Sequence, residues 1–126
     1  MLVHGIDIVE TARIGKALDL WGERFIRRIY TAGEIEYCQG HVPALAARFA
    51  AKEAVMKALG TGNVGISWHD IEILPDQHGA PLIHLSGGAQ LRARELGING
   101  LTIALSHSRD YAIASAIGGC NEDRNR

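Results

Sequence analysis

Ala44-Leu45-Ala46-Ala47-Arg48-Phe49-Ala50-Ala51-Lys52-Glu53-Ala54-Val55-Met56-Lys57-Ala58-Leu59, closed by Gly60, is the stretch whose reading decides the fold. Its residues are nearly all strong helix formers. A helix over 44–59 is expected, beginning after the break His41-Val42-Pro43 and stopped by Gly60, as a C-terminal glycine stops helices. Leu45, Phe49, Met56 and Leu59 can lie broadly on one apolar side. The same helix carries one carboxylate, Glu53, and three cations, Arg48, Lys52 and Lys57. Glu53 and Lys57 stand four apart, a surface pair worth about 0.2–0.5 kcal/mol. Arg48 and Lys52 share that spacing and repel by a similar amount, which suggests an anion between them.

Working outward, Leu2 to Val9 is apolar and β-branched and reads as a strand, interrupted only by Asp7. Glu10 to Trp21 carries Ile14, Leu18 and Trp21 at a spacing that suits a short amphipathic helix. Phe25, Ile26, Ile29 and Tyr30 continue the apolar contacts. Thr31 and Glu34 form a capping-box pattern for a helix over Gly33 to Cys38. Beyond Gly60, Ile71 to Leu74 and Pro81 to Leu85 read as strands joined by the turn Asp76-Gln77-His78-Gly79. Ser86 is an N-cap candidate for a helix over Ala89 to Leu96. Leu101 to Ser106 and Tyr111 to Ile117 make a final strand pair. The expected class is α+β: one small domain, residues 1–118, with a mostly antiparallel sheet packed against a long helix, and a polar, frayed tail over 119–126.

A chain of 126 residues fits a single domain burying about two-thirds of its unfolded surface. No apolar run approaches the ~20 residues that span a bilayer, and the N-terminus lacks the pattern of a secretory signal. Cys38 and Cys120 show no framework spacing, so two free thiols in a reducing cytoplasm are expected. A net charge of −1 argues against general nucleic-acid binding. The charge is uneven, however. Between Thr11 and Gly33 stand Arg13, Lys16, Arg24, Arg27 and Arg28 against only Asp19 and Glu23. Such a stripe is either a solvated helix face or a dock for a small acidic partner.

Gly60-Thr61-Gly62-Asn63-Val64-Gly65 matches G-x-G-x-x-G. A dinucleotide fingerprint follows a strand and opens a helix. Here the loop follows a helix and precedes a strand, so that reading fails, although backbone N–H groups of such a loop can still wrap a phosphate. The six histidines lack zinc-ligand spacing, and no nucleophile elbow is present. Two carboxylates, a set of cations and a glycine-rich loop are the equipment for a magnesium-bound, phosphate-bearing ligand.

Gly5-Ile6-Asp7 and Phe49-Ala50-Ala51-Lys52-Glu53-Ala54-Val55-Met56-Lys57 resemble the 4'-phosphopantetheinyl transferases, specifically the short bacterial holo-acyl-carrier-protein synthases. Tyr30-Thr31 with Glu34, Gly60-Thr61-Gly62 and the segment Leu105-Ser106-His107-Ser108-Arg109-Asp110-Tyr111-Ala112 extend the match over nearly the whole chain. The resemblance implies that fold, and transfer of 4'-phosphopantetheine from coenzyme A to a serine of apo-acyl carrier protein, with release of adenosine 3',5'-bisphosphate. It implies Mg²⁺ bound by Asp7 and Glu53, with Asp7, Glu53 and Lys57 serving the reaction. Arg48, Lys52, Lys57, Gly60, Thr61, Gly62, Ser106 and His107 would meet coenzyme A, and Arg13, Arg24 and Arg28 the acidic carrier. A homotrimer with its active sites between subunits is also implied. The tryptophan-containing segment from Asp19 to Gly22 departs from the common family pattern. Competing readings are a non-catalytic module that binds a nucleotide or acidic protein, and a magnesium-dependent nucleotide phosphohydrolase.

Overall fold

The N-terminal apolar run forms β1, Leu2–Glu10, and pairs antiparallel with the last strand, β5, Tyr111–Cys120. The register sets Asp7 opposite Ala114. β4, Ile98–His107, pairs antiparallel with the other edge of β5, so the three-stranded sheet has the order β1-β5-β4. These relationships come from a computed structural model that describes residues 1–60 and 64–120. Because side chains alternate across a strand, Gly5, Asp7 and Val9 share one face with Ala112, Ala114 and Ala116 of β5. That face packs on helix α4, Val42–Leu59.

The small residues on this face are a packing requirement. A Cβ built on Gly5 would stand 1.9 Å from the Ala54 carbonyl oxygen and 2.6 Å from the Ala58 nitrogen. Backbone meets backbone there. Ala112, Ala114 and Ala116 are fully buried beneath the same helix. The crossing of β1 over α4 therefore fixes which residues of each can meet.

Helix α4 begins at Val42 and takes Pro43 into its first turn, where the missing N–H is no loss. The expectation of one apolar side is corrected. Alanines and leucines are buried around most of its circumference, while Phe49 is only partly buried and stacks on Trp68 with centroids 5.2 Å apart. The reason is position: the helix is wrapped by the sheet and by shorter elements. Those are α1, Thr11–Trp21; α2, Glu23–Ile29; α3, Ala32–Cys38; and α5, Gly87–Glu95. Gly22, at φ +54°, separates α1 from α2.

The Thr31–Glu34 capping box forms as its pattern foretells. A 3₁₀ turn over Trp68–Asp70 leads into β2, Ile71–Pro75, which pairs with β3, Pro81–Leu85, through the Asp76–Gly79 turn. Ser86 stands at the N-cap of α5, but its side chain makes no capping bond; the Asp70 carboxylate accepts from the Gly88 N–H instead, at 3.1 Å. β5 reaches Cys120, whose N–H donates to the Met1 carbonyl at 2.8 Å. Gly119 and Cys120 thus belong to the sheet and not to a frayed tail, because the first residue of β1 gives them a partner. The tail over 121–126 lies outside the described residues.

Gly5→Ala should be destabilised by about 3 kcal/mol or more, since neither backbone can yield to the added methyl. Urea denaturation would measure the change; a parent-like midpoint would mean that β1 and α4 are not in backbone contact.

Candidate active site

Asp7 faces α4 from β1, and its side chain is 15% exposed. Lys57, four residues after Glu53, turns toward the strand. Its Nζ donates to Asp7 Oδ1 at 2.9 Å and to the Ile6 carbonyl at 3.0 Å. The simple surface pair with Glu53 is therefore not what Lys57 makes; it bridges two elements 50 residues apart in sequence. Burial pushes the Glu53 carboxyl up from the ordinary carboxylate range, and the nearby charge of Asp7 pushes it further. Lys57 and Arg13 oppose that shift without cancelling it. Asp7, Glu53, Lys57 and Arg13 form one electrostatic group, held together where β1 crosses α4. A shallow pocket of about 280 Å³, lined by Ile6, Asp7, Ile8, Lys57 and Ile113, opens beside it.

Two carboxylates that raise each other's proton affinity, with cations at the margin, suit a hard divalent ion whose remaining ligands are water and phosphate oxygens. Among the described residues, no three or more His, Cys, Asp or Glu side chains gather into a larger cage. The donor set fits magnesium shared with a substrate.

A sequence model of the 4'-phosphopantetheinyl transferase superfamily matches residues 4–116, from β1 through β5. The chain belongs to that superfamily. It is 48% identical to the holo-[acyl-carrier-protein] synthase of Herpetosiphon aurantiacus, over 94% of this chain and 98% of that protein. The fold matches the crystal structure of Helicobacter pylori holo-[acyl-carrier-protein] synthase in complex with coenzyme A with a TM-score of 0.84, at 35% identity, covering 92% of this chain and 99% of that one. A structure of the Bacillus anthracis holo-(acyl-carrier-protein) synthase in complex with CoA (3',5'-ADP) gives 0.78 at 34% identity, over 94% and 96%. The α+β transferase fold expected from the sequence is the fold found.

Within that frame the remaining sequence-predicted residues fall into three places. Arg48 and His107 line a second cleft of about 350 Å³, together with Tyr37, His41, Gly79 and Pro81. Arg48 is nearly buried: its Nε donates to the Ile73 carbonyl at 3.3 Å and its guanidinium lies 4.5 Å from the centre of the Tyr37 ring. Ser106 is not in this cleft. Leu105 and His107 line it, and the intervening residue of β4 points to the opposite, exposed face. Arg24 and Arg28 border a third pocket, about 480 Å³, with Trp21, Phe25 and Ile29. Arg13, grouped with them in sequence, lies instead beside Glu53. Gly60 caps α4 in the left-handed conformation, φ +76°, while Thr61 and Gly62 lie outside the described residues.

Lys52 is a correction. It is fully buried, and its Nζ sits 2.8 Å from Glu34 Oε1 while donating to the carbonyls of Trp68 and Ile71. Burial lowers its pKa and Glu34 draws it back up. With every donor engaged inside the core, Lys52 has nothing to offer a phosphate. Nor does the Arg48–Lys52 spacing call for an anion, since each cation has its own internal partners. Glu34, which the sequence marked only as a cap, also accepts from Ile73 N at 2.8 Å. The one sequence signal for this was a lysine in a run of alanines, a position too small-sided to be solvated.

The raised pKa of Glu53 has a stability consequence of definite sign. The folded chain holds this proton to higher pH than the unfolded chain does, so the contribution favours folding at acid pH and is lost as pH rises through the folded value. At neutral pH the charged carboxylate weakens the fold. In chelator-treated buffer, Glu53→Gln should therefore resist urea better than the parent at pH 7. The difference should fade as pH drops below the ordinary glutamate value of about 4.3. Equal or lower stability at pH 7 would contradict the assigned environment.

Proposed function

We propose that this chain transfers the 4'-phosphopantetheine group of coenzyme A to a serine hydroxyl of an apo-acyl carrier protein, releasing adenosine 3',5'-bisphosphate. The observation that carries the reading is the convergence of Asp7, Glu53 and Lys57 where β1 crosses α4. The relatives' names and their coenzyme A complexes supply the substrates. In the reaction the serine oxygen forms a bond to the β-phosphorus while the bond to the leaving bisphosphate oxygen breaks. No covalent intermediate on the protein is required, so catalysis is positioning plus charge stabilisation.

Magnesium, held by Asp7 and Glu53, would supply positive charge to the pyrophosphate oxygens. Asp7 orients the Lys57 ammonium, which neutralises phosphate charge as it develops. Burial makes Glu53 a stronger base than an ordinary carboxylate, which suits accepting the serine proton. Arg48 and His107 would receive the adenosine end of coenzyme A in their cleft, and the segment Gly60-Thr61-Gly62 would offer backbone N–H groups to the pyrophosphate. Arg24 and Arg28 face solvent as a dock for the acidic carrier. Arg13, beside Glu53, lies where the carrier's serine must arrive. A homotrimer with sites at subunit boundaries is supported by the outer face of the sheet, where Leu2, Ile6, Ile8, Ile113 and Ile117 stand uncovered. Ile6, Ile8 and Ile113 of that face also line the Asp7 pocket, so a neighbour covering them would help wall the site.

Incubation with coenzyme A, Mg²⁺ and an apo carrier should increase the carrier's mass by one phosphopantetheine group. A nucleotide phosphohydrolase would release phosphate with the carrier unchanged, and a binding module would do neither. Asp7→Ala should remove most of the transfer rate. Lys57→Met should lower turnover roughly a hundredfold, because a preorganised cation in a partly dry site is worth far more than a surface pair. A proportionate loss of stability and activity in Lys57→Met would instead reduce the residue to a structural link. Charge reversal at Arg24 and Arg28 should raise KM for the carrier, not for coenzyme A, with an effect that shrinks at high salt.

A further inference from the structure

Helix α5 lines neither the Asp7 pocket nor the Arg48 cleft. It nevertheless touches both ends of the segment that runs from Gly60 to Gly65. At the first end, Arg92 Nε donates to the Leu59 carbonyl at 2.9 Å, two residues beyond Lys57. That carbonyl is among the last four of α4, which have no partner within the helix. Arg92 Nη2 stands 3.8 Å from where a Cβ on Gly60 would be. At the second end, a Cβ on Gly88 would lie 1.8 Å from the Gly65 carbonyl oxygen, so the first turn of α5 rests directly on the backbone there. Asp70 secures this contact: its Oδ2 accepts from Gly88 N at 3.1 Å and from Ser67 N at 3.0 Å, and its carbonyl accepts from Ser86 N at 2.9 Å. Gly60 and Gly65 each adopt φ +76°.

We infer that α5 is a brace fixing both ends of the Gly60–Gly65 segment, and that Arg92 is a positioning residue for the pyrophosphate-bearing substrate. The inference rests on the proposed function, since it assigns the segment an anion to hold. Its physical basis is conformational entropy. A backbone that binds an anion through its N–H groups must be ordered when the anion is bound, and ordering already enforced by the fold does not weaken binding. The alternative role for Arg92 is a surface pair with Glu95, whose Oε1 lies 3.6 Å from Nη1. That contact is long and peripheral, whereas the Nε bond to Leu59 is short and crosses between helices.

Arg92→Gln and Arg92→Lys test the role. Coenzyme A would be titrated calorimetrically in Mg²⁺, steady-state kinetics measured with a carrier, and hydrogen–deuterium exchange followed over residues 60–66. In Arg92→Gln, coenzyme A should bind about tenfold more weakly, as expected for losing a charge-assisted hydrogen bond that organises the site. Turnover at saturating coenzyme A and KM for the carrier should change less than about twofold. Exchange should quicken over residues 60–66 but not in the middle of α4. Arg92→Lys keeps a charged donor and should recover part of the affinity; it also serves if Arg92→Gln folds poorly. Unchanged affinity and exchange in both variants, beside a wild type that binds coenzyme A and loads the carrier, would overturn the brace alone. A wild type that does neither would overturn the proposed function and this role with it.

Discussion

Everything in the site depends on how closely β1 approaches α4. Gly5 and Ala54 place two backbones in contact, and that distance is set by the absence of side-chain atoms, not by any attraction between particular groups. Once the strand lies that close, Asp7 two residues later reaches the helix at the level of Lys57 and Glu53. Two carboxylates are then forced into proximity, which raises the proton affinity of Glu53. A cation is needed beside them, and Lys57 and Arg13 supply part of that charge. A larger residue at position 5 would widen the gap and dissolve the cluster. Alanines on β5 extend the same requirement across the sheet.

Adjacent residues on α4 serve opposite ends. Lys52 and Glu53 are neighbours in sequence, yet one is sealed in the core against Glu34 and the other faces the site. A buried ion pair is a poor source of net stability but costs about 3–5 kcal/mol to break on one side only, because the remaining charge is left uncompensated. Glu34 answers for this with its full complement: Lys52, the Thr31 N–H and the Ile73 N–H. The pair ties α4 to α3 and β2 and so fixes the rotation of the helix about its own axis. With that rotation fixed, Glu53 cannot turn away from Asp7.

The outer face of the sheet is the complement of this arrangement. Strand alternation puts Gly5, Asp7 and Val9 inward and leaves Leu2, Ile6 and Ile8 outward, so the close inner contact and the uncovered apolar rows have one origin. The chain is small for its task, and the shallow Asp7 pocket shares its wall with those rows.

Much of this was legible in the sequence. The alanine-rich helix, its glycine stop, the capping box of Thr31 and Glu34, and all five strands follow from local propensity and pattern, which act over a few residues and survive in any context. The spacing of Asp7 and Lys-Glu within an ordered set of motifs identified the superfamily. Partnership across the chain was not legible. Arg48, Lys52 and Lys57 look alike on a helical wheel, but only packing decides that the first lies against Tyr37, the second is sealed against Glu34 and the third reaches Asp7. Arg13 reads as one more member of a basic stripe until α1 is docked, when it stands apart from Arg24 and Arg28 and beside Glu53. The sequence by itself determined the elements and the chemical groups available. Tertiary structure alone decided which of those groups meet, because desolvation and charge proximity depend on distances between segments that no local pattern encodes.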